Sequence, residues 1–234
     1  ILPELPQVAI ILGSGLGGFT SKLKDSVSIP YKEIINYPHS STPGHAGEWV
    51  FGYINEKPVI CASGRFHYYE GFSFEEVSVT VNTAYDLGCK TLIITNAAGC
   101  LTKEWELDSI MLIRGYLDYS FRNGPNPPLI INLDLSSSTL CNIKKIASQQ
   151  KITLKEGIYV WTIGPTYETV AEIYDMINLG GNAVGMSTLP EIIKGQELGL
   201  NVISFSCLTN YGSGLVDGFL THTEVLKGAQ RVQR

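Results

Sequence analysis

The sequence predicts an α/β fold with a mixed, largely parallel central sheet flanked by helices on both faces. Two observations carry that expectation. Short β-branched runs alternate with helical stretches along all 234 residues, the pattern left by crossover connections between parallel strands. The helical stretches open on S/T-x-x-E boxes and close on glycines, so their limits are legible in the chain.

The first strand is expected at Val8 to Leu12, a short β-branched run. Trp49 to Ile54 and Pro58 to Ser63, separated by a turn at Asn55-Glu56-Lys57, read as a local antiparallel pair. Further strands are expected at Thr91 to Asn96, Ile110 to Asp118, Ile158 to Ile163, Ala183 to Met186 and Val202 to Leu208. Helices are expected at Phe74 to Leu87, Thr139 to Gln150, Val170 to Leu179, Leu189 to Leu198, and from Thr223 to the end. Ser73 with Glu76, Thr169 with Glu172, Thr188 with Glu191 and Thr221 with Glu224 fit capping boxes, and Gly88, Gly180 and Gly199 sit where C-terminal caps belong. With 44 % hydrophobic content the chain can bury one substantial core, so a single domain over residues 1–234 is expected.

A formal charge of -5 and a pI near 5.4 argue against an electrostatic nucleic-acid partner. No apolar stretch approaches the ~20 residues of a membrane span, and Ile1 to Pro6 lacks the basic start of a signal peptide. The chain opens almost on a strand, which leaves room for a short leader or first helix before it. Cys61, Cys89, Cys100, Cys141 and Cys207 are odd in number, widely spaced and mostly in apolar surroundings, as expected of reduced thiols in a cytoplasmic protein. His39, His45, His67 and His222 never stand at helical ligand spacing with a carboxylate or another histidine, so no metal is expected.

Two motifs point to an anion. Gly64-Arg65-Phe66-His67-Tyr68-Tyr69-Glu70-Gly71 leaves the end of an expected strand, and in extended chain residues 65, 67 and 69 share a face. The plainer alternative is an arginine paired with a structural carboxylate and a histidine capping a helix. Gly13-Ser14-Gly15-Leu16-Gly17-Gly18 follows the first strand and satisfies G-x-G-x-x-G, but Phe19 to Asp25 is too short and polar for a dinucleotide crossover helix. A hydroxyl at Ser14 inside a glycine turn suits a single phosphate better than a pyrophosphate.

Further polar segments stand at strand ends: Thr95-Asn96-Ala97-Ala98-Gly99, Gly164-Pro165-Thr166-Tyr167-Glu168, Met186-Ser187-Thr188 and Thr209-Asn210, with His222 at the start of the last helix. Singly each has a plain explanation: Asn96 and Asn210 as turn formers, Glu168 as a helix-dipole partner, Met186 as core, His222 as a solvated end. Together they would meet at the one carboxyl edge that a parallel sheet presents to ligands.

These segments, with Pro43-Gly44-His45-Ala46-Gly47, closely resemble the motifs of the trimeric, low-molecular-mass purine nucleoside phosphorylases, in family order and over nearly the whole chain. The resemblance implies the nucleoside phosphorylase fold and phosphorolysis of a purine nucleoside to free base and α-ribose-1-phosphate. It implies that Ser14, Arg65, His67, the Ala97 amide and Ser187 hold phosphate, with His45 close by. Tyr69, Met186 and His222 match ribose-binding positions; Tyr167, Glu168 and Asn210 match purine-binding ones, with Ala98, Gly99 and Val184 lining the base. Asn210, Glu168, His45 and His222 would then carry the chemistry. Phosphate is a co-substrate, and no metal or other cofactor is implied.

That assignment suits the reaction. Breaking the glycosidic bond builds positive charge on the sugar and negative charge on the purine. Glu168 would accept from N1–H while Asn210 bridges O6 and N7, favouring inosine and guanosine over adenosine. A methylthioadenosine phosphorylase is disfavoured, since His222 matches a ribose 5′-hydroxyl rather than a methylthio group. A nucleoside sensor on the same scaffold is motivated only by the altered hinge.

Two positions depart from the family pattern. Cys100 stands where a second glycine is usual. Tyr119 to Ser138 is shorter than the family's loop, which lends an aromatic to the neighbouring subunit's ribose pocket; either the hinge is pared down or residues are missing from the sequence there. The resemblance implies a homotrimer, with Phe121 the candidate for that roof and a surface or packing phenylalanine the plainer reading.

Overall fold

The computed structural model describes residues 4–39, 46–216 and Gly228. The expected terminal helix, its Thr221/Glu224 box, His45 and His222 lie outside the described residues. The described residues fold as two compact units, one built from 4–39, 46–96 and 187–204, the other from 97–186 and 205–216 with Gly228.

In the first unit, β1 (Val8–Leu12) lies parallel between β4 (Lys57–Ser63) and the start of β5 (Thr91–Cys100), with Val8 opposite both Val59 and Thr91. β3 (Glu48–Ile54) runs antiparallel to β4 through a turn in which Asn55 and Glu56 have φ of 47° and 63°. β2 (Lys24–Pro30) adds antiparallel to β3 and was not expected. Six of its seven residues are exposed, so no alternating apolar pattern announces it. Gly17–Lys22 is a 3₁₀ turn, consistent with its being too short for a crossover helix.

The expected helix at Phe74 to Leu87 is two helices, α1 (Phe74–Val77) and α2 (Val79–Asp86). At the junction Ser78 has φ -93° and ψ 9°, and its hydroxyl donates to the carbonyls of Phe74 at 2.8 Å and Glu75 at 3.2 Å.

In the second unit, β6 (Ile110–Asp118), β8 (Leu154–Trp161) and β9 (Ala183–Gly185) are parallel neighbours. Antiparallel pairing flanks them: β10 (Asn201–Tyr211) on β6, and the end of β5 on β9. β7 (Ile131–Asn132) is a two-residue addition to β6. The sheet is thus mixed as expected, with parallel pairing at the centre of each unit. α3 (Ser137–Gln149) and α4 (Val170–Asn178) follow their predicted positions, and α4 contributes Ile173 and Met176 to a core with Leu117, Val160 and Val184. The last helix described, α5 (Leu189–Glu197), belongs to the first unit; a Cβ at its Gly195 would lie 2.7 Å from Val202 and 3.1 Å from Leu92, so it seats closely on the strands.

The boxes at Ser73 and Thr169 form with both reciprocal bonds, and Gly88, Gly180 and Gly199 take φ of 92° or less on the positive side as C-terminal caps. The five cysteines are unpaired, four of them buried. No helix among the described residues is long and apolar enough to cross a membrane. Ser73→Ala removes the acceptor for Glu76 N–H and should cost about 1 kcal/mol, lowering Tm by roughly 2–4 °C in a thermal melt.

Candidate active site

The first group of predicted residues assembles in the first unit. β1 and β4 are in register from Val8/Val59 to Leu12/Ser63, so Gly13-Ser14 and Gly64-Arg65 leave adjacent parallel strands at the same level. Gly13 is pressed against β5: its N–H donates to Thr95 Oγ1 at 3.1 Å, and a Cβ there would stand 2.7 Å from Asn96 Cα. No other residue fits that turn without moving backbone.

Arg65 is buried, with 1 % exposure. Its Nη1 donates to Ser187 Oγ at 2.9 Å and Thr188 Oγ1 at 3.2 Å, which brings together two of the predicted phosphate residues. Its Nε lies 3.0 Å from Glu191 Oε1, an ion pair in which the N–H points off the line of centres. Nη2 is buried without a hydrogen-bond partner among the described residues. A buried donor left unpaired is costly, and an anion would satisfy it.

The expected Thr188/Glu191 capping box of α5 is absent. Thr188 has φ 77° and makes no side-chain cap; its hydroxyl instead accepts from Arg65 and from Asn96 Nδ2 at 2.9 Å. Glu191, which would have closed the box, faces Arg65 and is fully buried. Sequence reasoning missed Glu191 because its spacing fits a cap.

His67 is extended at φ -115° and caps the 3₁₀ turn Tyr68–Glu70, its N–H donating to Glu70 Oε1 at 2.9 Å and its Nδ1 lying 3.2 Å from the same oxygen. Tyr69 is therefore in a turn and does not share an extended face with residues 65 and 67, a correction to the expected alternation. Its ring still stacks on His67, with centroids 4.8 Å apart. Both contacts of the plainer reading, arginine with carboxylate and histidine as cap, are thus present beside the unpaired Nη2.

The second group lies in the second unit. Thr162, just beyond β8, donates through Oγ1 to Glu168 Oε1 at 2.7 Å and through its N–H to Gly185 O at 3.0 Å. Glu168 precedes the Thr169 cap. Burial pushes its carboxyl above the usual range, against the opposing effect of the Thr162 hydrogen bond. Thr162, Tyr167 and Glu168 line a cleft of about 290 Å³ together with Tyr119 and Phe121. Phe121 has φ 55° and packs edge-on to Tyr119 at 5.0 Å, so the cleft it lines belongs to its own chain.

Two strands run on past their expected ends: β5 continues beyond Asn96 through Ala97 to Gly99, and β10 beyond Leu208 through Thr209-Asn210. Gly99 pairs with Val184 across β5 and β9, and a Cβ at Gly99 would sit 3.2 Å from Val184 and 3.3 Å from Asn210 Nδ2. Gly99, Val184 and Asn210 therefore share one surface, where Asn210 Oδ1 accepts from Thr209 Oγ1 at 2.8 Å and Nδ2 donates to Tyr211 O at 3.0 Å. Ala98, one residue before Gly99 in the strand, points its side chain to the other face and gives its carbonyl to Thr209 Oγ1 at 3.4 Å. Met186 follows β9, half-buried, and Ala97 begins the part of β5 that belongs to this unit. Among the described residues, no His, Cys, Asp and Glu cluster could hold a metal ion.

The model of the Phosphorylase superfamily matches residues 7–234. Purine nucleoside phosphorylase 1 of Geobacillus stearothermophilus is 38 % identical over 240 residues, 99 % of this chain and 88 % of that protein. Purine nucleoside phosphorylase of Bos taurus is 41 % identical over 253 residues, 99 % and 86 %. The Schistosoma mansoni purine nucleoside phosphorylase solved with adenosine superposes with a TM-score of 0.84 at 33 % identity, covering 98 % of this chain and 87 % of that one. Solved with inosine, it gives 0.82 at 32 %, with 96 % and 84 % covered. Motif order, strand topology and near-complete coverage agree, and the chain belongs to the purine nucleoside phosphorylases of the Phosphorylase superfamily.

Proposed function

We propose that this purine nucleoside phosphorylase acts on 6-oxopurine ribo- and deoxyribonucleosides such as inosine and guanosine, releasing the base and α-(deoxy)ribose-1-phosphate. The observation that carries the preference is Glu168, a desolvated carboxylate with one oxygen engaged by Thr162. A carboxylate has about four acceptor positions, so capacity remains for the N1–H that a 6-oxopurine has and adenine lacks. Asn210 supplies an amide for O6 and N7; Tyr167, Ala98, Gly99 and Val184 flank the base. Ser14, Arg65, His67, the Ala97 amide and Ser187 hold phosphate near His45, while Tyr69, Met186 and His222 serve the ribose. Phosphate attacks C1′ as the C1′–N9 bond breaks, its electron pair passing to the purine, which takes a proton from solvent at N7 as it leaves. No cofactor takes part. The whole chain works as one phosphorylase domain, cytoplasmic and without a nucleic-acid or membrane partner.

The purine preference is read in turnover, since the Schistosoma mansoni relative is solved with adenosine as well as inosine. Inosine and guanosine should exceed adenosine in kcat/KM by roughly 10⁴-fold, the scale of sites built on buried hydrogen bonds. Asn210→Asp should narrow the gap; equal turnover of adenosine and inosine by the unaltered enzyme would refute the assignment. Recognition needs Glu168 ionised, so inosine kcat/KM should begin to fall at a pH above the ordinary glutamate range. Stability moves the other way. A carboxyl with a raised folded-state pKa stabilises below its unfolded pKa and loses that contribution as pH rises through the folded value. Glu168→Gln should therefore match or exceed the parent's Tm at neutral pH while losing activity, the Tm advantage vanishing in acid.

For phosphate, Arg65→Ala should raise the phosphate KM and cut turnover by roughly 10²-fold or more, because a positioned charge on the nucleophile is lost. Unchanged phosphate dependence would make Arg65 structural.

The assembly we propose is a homotrimer, in which a closed head-to-tail ring lets one subunit's hinge roof the next subunit's ribose site. Light scattering at micromolar concentration should give three chains, and a monomer would remove the shared site. An unchanged nucleoside KM in Phe121→Ala would exclude Phe121 as the roof.

A further inference from the structure

Glu191 is a fully buried carboxylate to which the chemistry above gives no part. Its charged neighbour is Arg65, whose Nε stands 3.0 Å away, and neither of its oxygens has a well-directed hydrogen bond among the described residues. A glutamate at the third position of a helix behind a threonine ordinarily turns back to the cap. Here both members of the box turn to the arginine: Thr188 accepts from Nη1 in a backbone conformation rare for a β-branched residue, and Glu191 approaches Nε. Asn96 holds the Thr188 hydroxyl from the other side. The guanidinium is thereby fixed along two edges, with Nη2 the group left over.

We propose that Glu191 is the resident counter-ion of the phosphate arginine: it holds Arg65 charged and oriented in the empty enzyme, and by its own negative charge it limits how tightly phosphate is bound. The inference rests on the reading of Arg65 as a phosphate ligand. Its logic is electrostatic. Without an anion, a buried guanidinium needs a carboxylate nearby; once phosphate arrives, the same carboxylate is a like charge across one guanidinium from it. Glu191 is accordingly a positioning residue that also sets affinity, and it touches no substrate atom.

The test compares Glu191→Gln with the unaltered enzyme, using inorganic phosphate and, as a non-nucleophilic mimic, sulfate at constant ionic strength. Glutamine keeps the acceptor and the shape but removes the charge. Without anion the variant should melt at lower temperature. It should then bind phosphate and sulfate about tenfold more tightly by calorimetry, the scale on which one nearby charge shifts an ionic equilibrium. Its Tm should also rise more with either anion than the parent's does. A merely structural glutamate would lower Tm and leave affinity unchanged or weaker, and that result would overturn the proposal. Should Glu191→Gln fail to fold, the paired change Arg65→Gln with Glu191→Gln should recover folding by removing both charges; no recovery would equally overturn it. Arg65→Gln alone serves as the separate control. If that variant binds phosphate as before, the phosphate reading of Arg65 fails first and takes this inference with it, whereas weakened binding there with no gain in Glu191→Gln rejects only the role of Glu191.

Discussion

The buried guanidinium of Arg65 is the constraint around which the first unit is arranged. A side chain at 1 % exposure cannot keep its charge without compensation, and the protein supplies it from Glu191 of α5 and from Ser187 and Thr188 just before the helix. The helix is therefore placed by an ion pair as much as by its apolar face. Asn96 joins β5 to the same cluster, and Gly13 lets the loop after β1 close onto β5 with no side chain between them. One charge thus links the end of β4, the middle of β5 and the start of α5, beside the loop that follows β1.

The second unit solves a different problem. In the role proposed for Glu168, a carboxylate must be ionised yet removed from water, and these demands oppose each other. Burial raises the carboxyl of Glu168, and the Thr162 hydroxyl offsets part of that by donating to the charged form. Thr162 can do this because its backbone continues the hydrogen bonding of β8 onto Gly185, which fixes where its side chain stands. Opposite β9, Gly99 leaves room for both Val184 and the Asn210 amide. This region is thus built on strand backbone, with the cleft beside Glu168 walled by Tyr119, Phe121 and Tyr167.

Much of this is legible in the chain because local chemistry and burial agree. Capping at Ser73 and Thr169, the three glycine C-caps and the parallel strands all follow from spacing and composition. The misses have physical causes. β2 is an exposed edge strand with no buried face to impose alternation, and the interruption at Ser78 is a single residue off helical geometry that no glycine or proline announces. Ala97 to Gly99 and Thr209-Asn210 lack the β-branched signature of the strands they extend, being small or polar, yet the strands continue through them.

By itself the sequence determined most of the order of elements and the family motifs, and it named the residue types proposed to meet phosphate and purine. It could not determine which partner Thr188 and Glu191 would choose. In sequence they form a helix cap; in the folded chain they serve an arginine 123 and 126 positions earlier, by subtraction of residue numbers. The reason is one of magnitude. A cap is worth about 1 kcal/mol, whereas a buried charge stripped of its partner costs roughly 3–5 kcal/mol, so once tertiary packing buries Arg65 the cap gives way.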